Sequence, residues 1–462
     1  MIWCSWLAIL SLLRAHAFIG SLINVEPKNG TDISLTPVGI TDFRGMHRPF
    51  YIKDKDRLAH LYCLGKSGVG KSTLLENMAI SDIEKGKGIC LIDPHGDVAE
   101  HLLHYIPSWR TQQVIYFNPA EYAIAFNPLA GILPDQYHLA ASGLISTFQK
   151  MWDSWGPRLE HILRYCLMTL LEFGQGTLLD IQPLLTNQLY RNNILARVRS
   201  KHLLDFWFLE FDKYAPAFRS EAISPILNKL GVFQASAPLR NTVGHQTSSF
   251  DIRQIMDEGN MLICNLSKGR LGEDTSALLG SLLVNAIQLG ALSRAGQDVE
   301  TRRPFYLYVD ECHSFLSEAY IGVLAECRKY SLSLFLAHQY LEQLDENIRA
   351  AIFGNVGTMV CFRVGASDAE CLAKEFYPVF TESDLVNLPK YSMYLKMQID
   401  SATSKPFSAR TVAIKPYGKS NKEAIIEDTV SRYEIDFKKQ ENGVEVLSEE
   451  NIINNFPQKK LF

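Results

Sequence analysis

Short apolar runs alternate with longer helix-forming stretches along the first part of the chain. Residues 60–64 (HLYCL), 88–93 (GICLID) and 113–117 (QVIYF) have the length and near-unbroken apolarity of strands covered on both faces. Between the first two, residues 73–79 (TLLENMA) are helix formers without Gly or Pro. This β–α–β rhythm predicts an α/β fold, a mainly parallel sheet flanked by helices. From about residue 129 to 244 the pattern changes. Leu159, Ile162, Leu163, Cys166, Leu167, Leu170 and Leu171 recur at helical i, i+3 and i+4 spacing, β-branched runs are few, and Trp152, Trp155 and Trp207 add bulk. That region reads as an all-α insertion. Strand-like runs return at residues 260–266, 305–310, 332–337 and 357–363, so sequence on both sides of the insertion completes the sheet. Residues 392–414 read as a last hairpin-like region.

The expected organisation is therefore an apolar N-terminal segment (1–30), the first part of the α/β domain (31–128), the insertion (129–244), the second part of the α/β domain (245–415) and a charged tail (416–462). One helix is expected in the tail, opened by a capping box over Ser420-Asn421-Lys422-Glu423. A chain of 462 residues, 47% hydrophobic, is long enough for two or three compact units with real cores. Its formal charge of −4 excludes a globally basic nucleic-acid coat, so any nucleic-acid contact must come from a few placed cations. Nine cysteines occur without a CxxC pair. Cys63, Cys90, Cys264 and Cys361 lie in the apolar runs and read as small hydrophobes of a reduced, cytosolic core, not as disulfides or zinc ligands.

The chemistry starts after residue 64. Gly65-Lys66-Ser67-Gly68-Val69-Gly70-Lys71-Ser72 is a complete GxxxxGKS string between an expected strand and an expected helix that begins with Thr73. Chance would give this string in roughly one or two chains per hundred of this length, and the correct flanks make chance a poor explanation. Glycines let successive N–H groups point inward, and the helix start adds partial positive charge. The loop therefore predicts a bound nucleoside triphosphate, with Lys71 on the β- and γ-phosphates and Ser72 on Mg²⁺. The run at 305–309 ends in Asp310-Glu311. Beside a phosphate loop, Asp310 is expected to hold Mg²⁺ through water as the Walker B acid, and Glu311 to polarise the attacking water as general base; alone, the pair would be only a strand end. The next run ends in His338-Gln339. Gln339 either reports the γ-phosphate or is a polar residue leaving a sheet, and His338 reads as a loop residue. Arg328, in Cys327-Arg328-Lys329-Tyr330, is either a surface ion pair or a finger reaching a neighbouring subunit's phosphates, which requires a ring.

Together, Gly65–Ser72, residues 91–97 (LIDPHGD), 308–311 (YVDE), 328–330 (RKY) and 338–339 (HQ) resemble the HerA/FtsK superfamily of ring-forming DNA pumps. Within it they look most like the TraD/TraG-like coupling-protein ATPases of conjugative transfer and type IV secretion. The resemblance spans residues 38–414. It implies a RecA-like P-loop NTPase core with an inserted all-α domain, a homo-hexamer that hydrolyses ATP to move single- or double-stranded DNA, and relaxase or secretion-channel partners. By matching position it makes Gln339 the sensor and Arg328 the arginine finger, with Arg363 a second residue able to reach a nucleotide. Asp93 falls at a strand tip near the γ-phosphate or, equally well, in an Asp-Pro turn.

Basic positions for nucleic acid are Lys268-Gly269-Arg270, Trp155-Gly156-Pro157-Arg158 and residues 191–202, with Arg191, Arg197, Arg199 and Lys201; each also reads as a solvated face. The family implies a membrane anchor and a cytoplasmic location at the inner face of the cell membrane. Here the N-terminal apolar segment carries Arg14, which would cost about 2.5–3.5 kcal/mol at mid-membrane. A helix packed on protein, or the remnant of a longer N-terminal region, is the other reading. Two functional alternatives stand beside the DNA pump: an ATPase energising protein export or pilus assembly, and a nucleotide-gated scaffold without turnover.

Overall fold

A computed structural model describes residues 34–435 apart from 46, 153, 154 and 319. The apolar N-terminal segment and the end of the charged tail lie outside the described residues. Thirteen strands are β1 (Leu35–Thr41), β2 (Arg48–Lys53), β3 (Leu61–Leu64), β4 (Gly88–Asp93), β5 (Val114–Phe117), β6 (Met261–Asn265), β7 (Phe305–Val309), β8 (Leu332–His338), β9 (Thr358–Cys361), β10 (Ser392–Lys396), β11 (Gln398–Ile399), β12 (Ala402–Thr403) and β13 (Phe407–Arg410). Eleven form one sheet in the order β2-β1-β13-β10-β9-β3-β8-β7-β4-β6-β5, and β11 and β12 pair separately. From β9 to β5 every pairing is parallel, whereas β10, β13, β1 and β2 add on antiparallel. The chain has the expected RecA-like α/β architecture.

The parallel strands are buried along their whole length, and their side chains alternate between two apolar layers. Leu61, Cys63, Ile89, Leu91, Tyr306, Tyr308, Phe335 and Ala337 pack on one face under α1 (Lys71–Glu84) and α2 (Asp97–Leu103). Tyr62, Leu64, Cys90, Ile92, Leu307, Val309, Leu334 and Leu336 join the other layer, which runs without a break into the helices between residues 137 and 243. There α3 (Tyr137–Met151) and α4 (Pro157–Phe173) turn Leu144, Phe148, Leu163 and Leu170 inward. The helix α5 (Glu273–Leu292) is long and apolar enough to cross a membrane, yet 78% of that apolar window is buried inside the fold. It is a core helix in the layer shared by the sheet and the helices between residues 137 and 243. The described cysteines are unpaired thiols, all buried except the half-buried Cys371.

A polar cluster pins the phosphate-loop helix to the sheet. Arg57 Nη1 donates to Asp82 Oδ1 of α1 at 2.7 Å and Nη2 donates to the Tyr308 hydroxyl of β7 at 2.8 Å; that hydroxyl donates to Asp82 Oδ2 at 2.5 Å. Burial alone would push the Asp82 carboxyl up, but the Arg57 and Lys87 charges and the hydrogen bonds outweigh it and hold Asp82 below the usual carboxylate range. Removing either partner would leave a buried charge uncompensated, so α1 is held rigidly where its N-terminus must be placed. The tail helix, α6 (Lys422–Tyr433), forms without the expected capping box. Asn421 is its N-cap, and Ser420 Oγ accepts the Lys422 N–H at 3.1 Å, which places Glu423 too early in the first turn to reach back.

Candidate nucleotide site

Strand order makes the site. The carboxyl ends of β3, β8 and β7 lie side by side, so the segments leaving these strands converge at one sheet edge. After β3 comes the glycine loop. Gly68 and Gly70 have φ of +72° and +124°, open to glycine and strained for other residues, and they curl the loop around its own amides. Two backbone bonds fix its entry: Gly65 N–H donates to His338 carbonyl at 3.3 Å, and Lys66 N–H to Arg363 carbonyl at 2.9 Å. Arg363 therefore sits beside the loop with an exposed side chain. Lys71 is buried, its ammonium donating to the Gly65 carbonyl at 2.6 Å and the Lys66 carbonyl at 3.2 Å, over the mouth of the loop. Ser67, Val69, Ser72 and Thr73 complete the turn and the first positions of α1.

After β7 come the two acids. Ser72 Oγ lies 3.4 Å from Asp310 Oδ2, which brings loop and strand tip together. Burial, then the charges of Glu311 and Asp93, push the Asp310 carboxyl up to about 6, with Lys71 pulling the other way. Such a buried carboxylate beside a hydroxyl fits a divalent cation. Among the described residues no cluster of three or more His, Cys, Asp or Glu side chains could hold a metal. Mg²⁺ keeps waters and phosphate oxygens as most of its ligands and needs only one or two protein groups. Ser72 and Asp310 are the residues that would hold it.

Glu311 is buried and has a left-handed backbone (φ 46°, ψ 50°), a conformation that costs a non-glycine residue about 1–3 kcal/mol. Its side chain is held in return. Gln339 Nε2, just past β8, donates to Glu311 Oε1 at 2.8 Å. His313 Nδ1 lies 3.4 Å from Glu311 Oε2, but neither atom has an aligned hydrogen-bond partner, so that contact is proximity without a bond. Gln343 extends the frame: its Oε1 accepts the Gln339 and Tyr340 N–H groups at 3.2 Å, and its Nε2 lies 3.3 Å from His313 Nε2. The segment after Glu311 also anchors the helical region, because the Lys150 ammonium on α3 donates to the carbonyls of His313 and Leu316.

Other sequence-derived positions fall elsewhere. His338 is fully buried, bonded through Nε2 to the Tyr62 hydroxyl, and kept neutral because burial drives its pKa down to about 3; it is a structural residue. Asp93 spends both oxygens on backbone N–H groups, His95 at 2.8 Å and Ala99 at 3.0 Å, and so belongs to the turn into α2. Arg328 is exposed and makes no ion pair among the described residues, but it precedes β8 and lies at the opposite sheet edge, about 20 Å from the site by the length of a seven-residue strand. The structure does not bring it to its own chain's loop. Arg191 is fully buried, with Nη1 on Leu184 carbonyl at 3.0 Å and Nη2 on Asp212 at 2.7 Å, so it is a framework residue and not a nucleic-acid contact. Arg270 is paired with Glu121, Lys268 donates to Ser314 Oγ at 3.1 Å, and Arg158 lies 3.8 Å from Glu221. Arg197, Arg199 and Lys201 are exposed.

No family model and no curated protein sequence matches the chain. Solved structures do. The bacterial conjugative coupling protein TrwB (TrwBdeltaN70, unbound form) superposes with a TM-score of 0.60 at 16% identity, covering 87% of this chain and 93% of that one. TrwB in complex with ADP and Mg²⁺ superposes with a TM-score of 0.59 over the same shares and at the same identity. VirB4 of Thermoanaerobacter pseudethanolicus gives 0.56 at 14% identity, covering 82% of this chain and 97% of that one. In fold, the chain is similar over most of its length to the conjugative coupling protein TrwB and to VirB4.

Proposed function

We propose that the protein is a Mg²⁺-dependent ATPase of the coupling-protein kind within the HerA/FtsK superfamily, which assembles as a ring, a hexamer, and moves DNA in conjugative transfer or type IV secretion. The observation that carries this reading is the convergence at one sheet edge of Lys71 and Ser72 with Asp310, Glu311 and Gln339. Solved complexes of TrwB with ADP and Mg²⁺ and with GTP and ATP analogues support a nucleotide in this fold.

The loop amides from Gly65 to Thr73 and Lys71 hold the phosphates and offset their charge. Ser72 and Asp310 would hold Mg²⁺, which when bound would supply charge neutralisation for the phosphates. Glu311 accepts a hydrogen bond from the attacking water and then its proton. Gln339 fixes the Glu311 carboxylate and is placed to register loss of the γ-phosphate. Arg328 acts on the next subunit's nucleotide, a reading supported by its exposure and its lack of an ion pair among the described residues. A dead nucleotide switch has no use for a strained, amide-held glutamate, which weighs against the scaffold alternative.

Asp310 gives a pH dependence. Its folded pKa is raised above the unfolded value, so the empty protein binds more protons than the unfolded chain between the two values and loses stability as pH rises to about 6. Mg²⁺ with ATP requires the ionised form and recovers that loss. The thermal stabilisation given by Mg·ATP should therefore grow between about pH 5 and pH 7, and a flat profile would remove Asp310 from the metal site.

The function test is ATP turnover with and without DNA at low and high salt. A net charge of −4 confines DNA contact to a local channel, so stimulation is expected and should fall steeply with salt. Stimulation absent, or indifferent to salt, would favour an ATPase for protein export or pilus assembly. Relaxase or secretion-channel partners, and a cytoplasmic position at the inner face of the membrane, belong to the same proposal.

A further inference from the structure

Tyr391 is a bulky residue in the left-handed region, with φ of +66°, where side chains of its size are genuine outliers. The fold holds it there through the phosphate loop. Its N–H donates to the Val69 carbonyl at 2.8 Å, and its own carbonyl accepts the Thr411 N–H at 2.9 Å. The ring lies directly on the loop, since a Cβ placed on Gly70 would stand 3.0 Å from Tyr391 Cδ1. Phe362 approaches the same glycine at 3.2 Å but is fully buried, whereas Tyr391 is 43% exposed. The Lys390 ammonium stands 4.9 Å from the Tyr391 ring centroid. The neighbouring chain is tied to α1 as well, through Asn77 Nδ2 donating to the Val412 carbonyl at 2.7 Å. A strained, half-exposed aromatic residue is thus fixed on the loop at the start of α1, entering from just before β10 on one side of β3, whereas the two acids follow β7 on the other side. Tyr340 is exposed to a similar degree, but it comes directly after Gln339 on the side of the Walker B acids. A nucleoside directed there would place its base over the hydrolytic carboxylate.

We infer that Tyr391 is the platform on which the nucleobase stacks when the phosphates occupy the loop. The inference rests on the nucleotide reading of that loop and adds the subsite for the base. A π-face takes any base, so purine identity enters weakly through this contact.

The test is titration calorimetry of the full chain with Mg²⁺ and three probes: ATP, GTP and inorganic tripolyphosphate, which has the phosphates but no base. Tyr391→Leu keeps apolar bulk on Gly70 and removes the π-face; Tyr391→Phe keeps both. The Leu variant should lose roughly tenfold or more in affinity for ATP and for GTP while binding tripolyphosphate as the parent does, and the Phe variant should bind all three normally. Equal weakening of all three probes by the Leu variant, or no change for ATP, overturns the stacking role and leaves the nucleotide reading standing. A parent protein that binds none of the probes overturns both. Tyr391→Asn, small and tolerant of positive φ, serves as a second variant if Leu impairs folding, with the same expectation.

Discussion

Replacing Glu311 by Gln is expected to cut ATP turnover by about 10²–10⁴-fold, the usual share of a positioned general base, while ATP still binds. Gln339 Nε2 donates to Glu311 Oε1 at 2.8 Å, and an amide oxygen at that position accepts the same bond, so the frame persists. The left-handed backbone at residue 311 is unchanged by an isosteric side chain. The metal site gains if anything. The Glu311 charge is one of the influences that push Asp310 up, and its removal favours ionised Asp310. Turnover should therefore fall without a rise in KM, the pattern of an interaction made in the transition state. Steady-state kinetics with parallel binding of Mg·ATP reads both quantities; near-parental turnover would remove Glu311 from the role of base.

Arg328→Ala should be at least as costly, about 10³–10⁵-fold if the guanidinium stabilises charge on the transferring phosphate. The local structure gives no other reason for a loss. Arg328 is exposed and has no ion pair among the described residues, so stability and ATP affinity should stay close to parental. Its position across the sheet from its own loop requires the nucleotide it serves to belong to another copy. Specific activity of the parent protein should then rise with protein concentration as copies associate. Activity independent of concentration and of Arg328 would describe a self-sufficient monomer.

Much of the core was legible because its strands are buried on both faces and leave continuous apolar runs, such as residues 88–93 and 305–309. The glycine loop was legible because its spacing encodes its geometry. Edge strands were not: Pro37, Gly39 and Pro49 break the pattern of β1 and β2, whose pairing depends on a bulge and a distant partner, β13. Strand order was equally hidden. Only the placement of β8 between β3 and β7 sets Gln339 on Glu311. His313, Gln343 and Lys150 enter through contacts that no local spacing announces, and Tyr391 through a positive φ that its residue type argues against. The misread residues fail for a related reason. Arg191 looks like a surface cation until its helix is seen to bury it against Asp212, and Ser420 looks like an N-cap until the helix starts one residue later.

A shared active site has one direct test. Glu311→Gln protomers retain Arg328, and Arg328→Ala protomers retain Glu311; each preparation alone should be nearly inactive. Mixed in equal amounts under conditions that allow exchange, random assembly gives about a quarter of the interfaces an intact Glu311 facing an intact Arg328, because head-to-tail contacts join different surfaces of the two copies. ATPase activity should reappear on mixing, to roughly that fraction of the parental rate. A mixture no more active than its two components would contradict hydrolysis shared between neighbouring subunits.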